Sequence, residues 1–262
     1  MTAKEIIAYM ESIKDEEQRK NLMRFFKTGP GEYGEGDQFL GLKVPQTREV
    51  VRHSADLPYS EIPTLLQSQW HEVRLCGFLL LVKRFEDAAK PRLRDVSEAI
   101  RRRDQIVETY LRYGEYANNW DLVDMSVPKI LGHWLLLPTF LGGDSEEKAG
   151  MHEEYKVKVL DRLADSPNLW LQRMSMVCSW KTSQQGDPSF CLRYAEKHVH
   201  HPHDLIHKAV GWLLREAGKR DRAALETWLQ EAEPRYKSMP RTMLRYAIEK
   251  FPEPVRQQYL RR

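Results

Sequence analysis

Apolar residues recur at helical spacing along almost the whole chain, and the alternation typical of strands is nearly absent. Short segments that carry Gly, Pro, Asn, Asp or Ser interrupt this pattern. The pattern therefore predicts an all-α fold that opens with one or two amphipathic helices from Ala3 to Phe26. Further helices are predicted at 45–53, 61–67, 72–85, 96–113, 120–136, 153–164, 169–180, 188–198, 205–217, 222–231 and 240–251.

One polar position recurs near the start of several predicted helices, and an apolar run follows it each time. It is present in Trp70-x3-Arg74, Trp120-x3-Asp124, Leu169-x3-Arg173 and Asp204-x3-Lys208, at steps of 50, 49 and 35 residues. These steps lie in the range of paired-helix repeats with insertions. We therefore predict one domain over residues 1–262, in which helix pairs stack into a curved superhelix. The four polar residues would form a row on its concave side.

The composition limits the class of protein. The chain has 262 residues, of which 41% are hydrophobic and 30% charged, so it is long and apolar enough to bury a continuous core. No apolar run approaches the ~18 residues that span a membrane, and the N-terminus lacks the apolar region of a signal peptide. Cys76, Cys178 and Cys191 lie in or near apolar helical sequence. We expect a cytoplasmic protein with reduced thiols and no membrane partner.

The net charge of +3 is unevenly distributed. Residues 205–262 contain thirteen Lys or Arg and seven Asp or Glu, so this part carries +6 and the preceding part −3. A cationic face of this kind is compatible with a polyanionic partner. An ordinary solvated helix surface explains the same charge, and both interpretations stay open.

The segment Trp120-Asp-Leu-Val-Asp124 places an indole and a carboxylate four residues apart on one helix face. Asp124 stands where its helix should be apolar, and a buried carboxylate is costly unless it is paired. A solitary buried carboxylate between aromatic walls and the guanidinium of Arg173 suits chemistry that passes through a cation, such as excision of a damaged base from a sugar. The alternatives are core packing for Trp120 and a structural ion pair between Asp124 and Arg173.

Two later segments carry candidate ligand contacts. Arg173 is interpreted either as a clamp for a phosphate or carboxylate or as one side of a helix–helix ion pair. Trp212 follows Lys208 by four residues, so the indole and the ammonium share a face; core packing is the alternative for Trp212. Gly211 lets another backbone or a ligand approach.

Three motifs are set aside. Residues 29–34 match G-x-G-x-x-G, but a predicted helix precedes them where a dinucleotide site requires a strand. Five histidines between His198 and His207 lack an accompanying Cys, Asp or Glu spacing, which predicts a polar turn between repeats. The arginines at 101–103 are predicted to lie on a solvated helix face. We therefore expect no cofactor and no metal.

Four stretches in order resemble the DNA alkylation repair family, the AlkD-like DNA glycosylases. The similarity runs from about Phe25 to Phe251. The stretches are Phe39–Arg48, Trp120–Asp124, Asn168–Arg173 and Lys208–Glu216. The resemblance implies HEAT-like helical repeats around a positively charged cleft for duplex DNA. It also implies excision of N3- or N7-alkylated purines.

Site residues are carried over by motif. The resemblance implies that Asp124 is the catalytic aspartate and that Trp120 and Trp212 flank the sugar of the lesion. It implies a cleft role for Arg173 and backbone contacts for Arg215. The turn from Lys43 to Arg48 matches a further backbone contact, and we expect Lys208 to hold phosphate as part of the basic C-terminal face. Two departures are Phe25, where the family often has tyrosine, and a longer loop from Lys27 to Gln38.

The expected partner is double-stranded DNA that contains alkylated bases, bound by a monomer without a cofactor. The resemblance further implies that the base need not be flipped out of the helix, because the contacts fall on the sugar and backbone. Two other functions stay open because fold does not fix function. One is a non-catalytic helical scaffold for a protein or peptide, and the other is a nucleic-acid binder without catalytic chemistry.

Overall fold

The computed structural model describes residues 1–90, 95–143, 148–231 and 234–261. These residues form seventeen α-helices and no β-strand, with isolated bridges only at Gln38–Trp70 and Thr139–Gly150. The all-α prediction is therefore confirmed. The chain divides into two compact units, an N-terminal unit, Met1–Ile130, and a C-terminal unit, Leu131–Arg262.

The N-terminal unit contains seven of these helices. They are α1 (Ala3–Ser12), α2 (Glu16–Phe25), α3 (Val44–His53), α4 (Ile62–Leu66), α5 (His71–Ala88), α6 (Val96–Arg112) and α7 (Trp120–Ser126). Short 3₁₀ turns lie at Tyr59–Glu61, Gly114–Tyr116 and Val127–Lys129.

Helix α5 is the core of the N-terminal unit. Residues 71–82 are all buried, including the polar side chains at its start, and α3, α4, α6 and α7 pack around it. A helix that is apolar on every side requires such a surrounding layer. The polar first turn of α5 therefore lies inside the protein, where each of its polar groups needs a partner.

The C-terminal unit contains the other ten described helices. They are α8 (Leu131–Leu135), α9 (Glu153–Ala164), α10 (Leu169–Val177), α11 (Ser179–Gln184), α12 (Ser189–His198), α13 (Asp204–Gly218), α14 (Arg222–Gln230), α15 (Arg235–Ser238), α16 (Arg241–Ala247) and α17 (Glu253–Leu260).

Helix α13 is the core of this second unit and packs against α10, α11, α12, α14 and, most extensively, α16. Gly211 allows α13 and α16 to approach each other closely, since a Cβ atom at this position would lie 2.5 Å from the carbonyl oxygen of Met243. The prediction that Gly211 admits another backbone is confirmed, and that backbone belongs to α16.

The predicted repeat spacing matches the helix starts. Helices α5, α7, α10 and α13 begin at residues 71, 120, 169 and 204, within one residue of the recurring motif. Helix α9 packs against α10, and α12 against α13, as helix pairs do. The paired-helix prediction therefore holds within the C-terminal unit.

Two predicted helices are broken in the structure. The helix expected at 120–136 ends at Ser126, because Pro128 follows and has no N–H to continue the hydrogen-bond ladder. The helix expected at 169–180 is divided at Cys178 into α10 and α11. There Ser175 and Ser179 donate to the carbonyls of Gln172 and Met176, and such bonds compete with regular helix geometry. Helices α15 and α17 were not predicted.

Within the described part of the chain, no helix has the length and apolar character needed to cross a membrane. Cys76, Cys178 and Cys191 are buried and form no disulfide.

Candidate functional site

Trp120 and Asp124 line one cavity of about 370 Å³ in the N-terminal unit. The spacing of four residues predicts that they face the same space, and the structure places them so. Most of the other lining side chains are apolar or aromatic. The lining residues are Leu22, Phe25, Phe26, Phe39, Leu42, Lys43, Val44, His71, Glu72, Leu75, Trp120, Asp121, Asp124 and Met125.

Helix α7 fixes the direction of both side chains. Its N-cap is Asn119, whose side-chain oxygen accepts from the N–H of Trp120 at 2.9 Å. Leu122 and Val123 are completely buried on the inner face of this short helix. Trp120 and Asp124 are left half-buried at the cavity.

Aromatic rings form one wall of the cavity. The Trp120 ring lies 5.4 Å from that of Phe26 and 6.0 Å from that of Phe25, and Phe26 stacks on Phe39 at 5.2 Å. Phe25 is 61% exposed and therefore stands at the rim. A flat aromatic edge of this kind can contact the apolar face of a sugar or base.

The deeply buried carboxylate of α7 is Asp121. The sequence predicts a solitary buried carboxylate at Asp124, and this prediction is wrong. Asp121 is 5% exposed and Asp124 is half-buried, and both line the cavity. Asp121 is turned towards α5, where its Oδ2 lies 2.9 Å from Nε2 of His71. The more accessible Asp124 therefore has the better position for contact with a ligand.

His71 lies between two carboxylates. Its Nε2 contacts Asp121, and its Nδ1 lies 2.8 Å from Oδ2 of Asp37. Burial opposes the charged imidazolium, but the two carboxylates outweigh it and raise the pKa of His71 to about 9. Burial likewise disfavours ionised Asp37, yet His71 and Arg74 hold the pKa of this carboxyl below its usual value. His71 is therefore a cation at neutral pH.

Arg74 completes this buried ionic cluster. Its guanidinium forms an ion pair with Asp37 and donates to Oδ1 of Asn118 at 2.9 Å. It also donates to backbone carbonyls at Ser68, Gln69 and Tyr116. The prediction that Arg74 belongs to a row of polar residues on a concave surface is therefore wrong, because its guanidinium is buried in the N-terminal unit and pairs with Asp37.

Glu72 holds the loop that leads into α3. Its carboxylate accepts from the backbone N–H groups of Leu40 at 2.9 Å, Gly41 at 2.8 Å and Leu42 at 3.0 Å. Gly41 has φ +89°, and a Cβ there would lie 2.0 Å from the carbonyl oxygen of Asp15. The first of the family-like stretches is therefore fixed by a buried anion on α5.

The two predicted DNA contacts of this unit are accessible. Lys43 is the N-cap of α3, is exposed and lines the cavity that contains Asp124. Arg48 is exposed on the same helix. The structure thus leaves both cations available for an anionic ligand.

The remaining predicted site residues belong to the C-terminal unit. Arg173 is 5% exposed and donates to the carbonyl of Leu205 at 2.7 Å. Trp212 is half-buried, with its ring 5.8 Å from that of Trp180. Their proposed contacts with DNA stay predictions.

Both predicted cations of α13 are half-buried and have acidic partners. Lys208 forms an ion pair with Asp204 at 2.6 Å, and Arg215 pairs with Glu216 and Glu249. Each would have to exchange or share these partners to contact a phosphate.

The histidine cluster is built into the turn before α13. His198 is buried beside the hydroxyl of Ser175 at 2.9 Å, and burial, with His201 and Lys197 nearby, lowers its pKa to about 4. His201 contacts Gln172, and His207 contacts the carbonyl of His201. In the part of the chain that the structure describes, no three His, Cys, Asp or Glu side chains are arranged to hold a metal ion.

Sequence reasoning missed three residues that support the site: Asp37, His71 and Glu72. A signal for the latter two is present, because His-Glu-x-Arg at 71–74 opens a helix that is otherwise apolar. Three polar residues at the start of a core helix indicate buried partners elsewhere. No comparable local pattern marks Asp37 within its glycine-rich loop.

Comparisons with known proteins agree with this fold. A model of the family described as DNA alkylation repair enzyme matches residues 6–251. Among solved structures, the chain is similar to a predicted DNA alkylation repair enzyme from Enterococcus faecalis, with 14% identity and a TM-score of 0.63. That match covers 92% of this chain and 97% of the other. No curated protein sequence matches. The chain belongs to the DNA alkylation repair enzyme family.

Proposed function

We propose that this protein is a DNA glycosylase that excises positively charged N3- or N7-alkylated purines from duplex DNA. The observation that carries the proposal is the pairing of Trp120 and Asp124 on one aromatic-walled cavity in a member of this family. A half-buried carboxylate beside an indole is suited to a reacting centre that becomes cationic.

The chemistry requires one carboxylate. Alkylation makes the purine a cation, which leaves as a neutral base when the C1′–N bond breaks, so no general acid is needed. Ordinary glycosidases use a second carboxyl group for that protonation. Asp124 would stabilise the positive charge that develops on the deoxyribose and orient the water that attacks C1′. The apolar lining strengthens this attraction because it excludes competing water.

Aromatic faces would add to the stabilisation. Trp120 would contribute cation–π attraction of about 0.5–2 kcal/mol. A contact between Trp212 and the sugar of the lesion is proposed from the motif resemblance alone. The resemblance of the motif stretches implies contacts to the sugar and the DNA backbone, which would leave the damaged base stacked in the duplex.

Cations would hold the DNA backbone. Lys43 is exposed and lines the cavity that contains Asp124, and Arg48 is exposed on α3, which supports their role. Arg173, Lys208 and Arg215 are proposed as further contacts to phosphate. Such contacts supply affinity and register without sequence preference.

The experiment is incubation of the purified chain with methylated duplex DNA, followed by chromatographic assay of free bases. Release of 7-methylguanine or 3-methyladenine above a reaction without enzyme is expected. Binding to the duplex without release would contradict the proposal and favour a nucleic-acid binder without catalysis. Absence of both would favour a helical scaffold for a protein partner.

A further inference from the structure

We propose that His71 is a positioning residue for the reaction, because its imidazolium joins Asp37 to Asp121 and thereby fixes the helix that carries Trp120 and Asp124. This inference rests on the proposed function for its catalytic consequence. The mechanical part, a link between His71 and α7, stands on the geometry of the N-terminal unit alone.

The contact to Asp121 is well placed to orient α7. Asp121 follows Trp120 directly and precedes Asp124 by three residues, and α7 has only 7 residues. A bond to Asp121 therefore restrains a helix of about two turns. The rings of Phe39 and Phe26 contact the imidazole at centroid distances of 4.3 and 5.1 Å, so the same histidine also supports the aromatic wall.

The hydrogen-bonding capacity of histidine makes this link depend on its charge. An imidazolium donates from both ring nitrogens, whereas neutral imidazole donates from one and presents a lone pair at the other. Both ring nitrogens of His71 face carboxylates, at 2.8 and 2.9 Å. Loss of the proton would therefore set a lone pair against either Asp37 or Asp121.

The charges around His71 support the cationic form. Asp37 from the loop and Asp121 from α7 face the ring, and the other side chains in contact with it, Phe26 after α2 and Phe39, are aromatic. On α5 itself, Arg74 is joined to Asp37, and Glu72 is directed at backbone N–H groups. The cavity wall adds Lys43 and Asp124.

Asp121 depends strongly on this partner. Within the described residues its second oxygen, Oδ1, is buried and accepts no hydrogen bond. A buried carboxylate that loses its single contact is costly, so α7 would shift or admit water to solvate the charge. Because the pKa of His71 is raised to about 9, the contact between His71 and Asp121 is intact at neutral pH and weakens above pH 9.

The first test uses His71→Gln, with His53→Gln as the matched control on the exposed surface of α3. Single-turnover excision and DNA affinity are measured between pH 6 and 10, after subtraction of enzyme-free base loss. We expect His71→Gln to lower the excision rate roughly 10- to 100-fold at pH 7, with DNA affinity within about twofold. The excision rates of the parent and of His53→Gln should fall above pH 9, and the rate of His71→Gln should show no such decline. An unchanged rate in folded His71→Gln would overturn the proposal.

The second test needs neither excision activity nor a substitution at His71. Nuclear magnetic resonance of the parent protein follows the His71 ring and the Trp120 indole N–H across the same pH range, with Trp120→Phe used for assignment. Both signals should shift with one midpoint near pH 9. A Trp120 signal that stays fixed while His71 titrates would overturn the link. If the parent releases no base but both signals shift together, the glycosylase proposal fails and the link stands.

Discussion

The imidazole Nε2 of His71 lies 2.9 Å from Oδ2 of Asp121, although the two residues are 50 positions apart in the chain. Asp37 contacts the other ring nitrogen at 2.8 Å, so a glycine-rich loop, the core helix α5 and the short helix α7 meet at one buried cation. The cavity that contains Trp120 and Asp124 is built directly on this junction. Stability and catalysis are therefore expected to respond to the same ionisation.

The first prediction concerns the pH dependence of stability. Between pH 6.5 and about 9 the folded chain retains a proton on His71 that the unfolded chain has lost, so the free energy of unfolding falls as the pH rises. The loss should approach about 3 kcal/mol across that interval. Urea denaturation at closely spaced pH values measures it.

Below pH 6.5 the free energy of unfolding is expected to change with pH in the opposite direction. Burial lowers the pKa of His198 to about 4, so between pH 4 and 6.5 the unfolded chain binds a proton that the folded chain does not. Stability should therefore also fall below pH 6.5 and be greatest near that value. His71→Gln should remove the alkaline decline and leave the acid decline in place. A decline above pH 7 that persists in His71→Gln would exclude His71 as its source.

The second prediction concerns Glu72. Its carboxylate accepts three backbone N–H groups, and hydrogen bonds to a charged acceptor contribute about 1.5–3 kcal/mol each. Glu72→Gln removes the charge and one acceptor oxygen, so the free energy of unfolding should fall by about 2–4 kcal/mol. Urea denaturation provides the value, and Glu115→Gln, an exposed change of the same type, should alter it by less than about 0.5 kcal/mol. Equal stability of the two variants would mean that Glu72 does not hold the loop.

Local sequence signals predicted the helices well where caps are present. Asn119 and Asn168 accept backbone N–H groups at the first turns of α7 and α10, and both starts were predicted within one residue. The breaks inside two predicted helices were missed, because continuous apolar spacing outweighed Pro128 in one case and the serines of α10 and α11 in the other.

The candidate site was predictable only in its local part. Spacing placed Trp120 and Asp124 on one face, and both line the cavity. Spacing could not identify which carboxylate of α7 is buried, since that depends on His71, which comes from a helix 50 residues earlier. The loop contacts of Glu72 are equally non-local. A pattern within one helix contains no information about such partners.

The third prediction concerns phosphate contacts. Lys43 and Arg48 are both exposed, and Lys43 lines the cavity. Lys43→Ala and Arg48→Ala should therefore each weaken DNA binding and reduce the slope of log affinity against log salt by about 0.9. Fluorescence titrations of a duplex at several salt concentrations measure this slope. Arg173→Ala should also weaken binding and flatten the salt dependence. Lys4→Ala, at an exposed position of α1, is the control, and a slope equal to that control would remove the tested residue from the phosphate contacts.

The central claim is that Asp124 stabilises the sugar as it becomes cationic, and the rate of excision in Asp124→Asn tests it most directly. The substitution keeps size and removes charge, as does Glu115→Gln on the exposed surface. Single-turnover release of 7-methylguanine should fall at least about 100-fold in Asp124→Asn, with fold and DNA affinity preserved, and should match the parent in Glu115→Gln. Release at the parent's rate by Asp124→Asn would contradict the catalytic assignment.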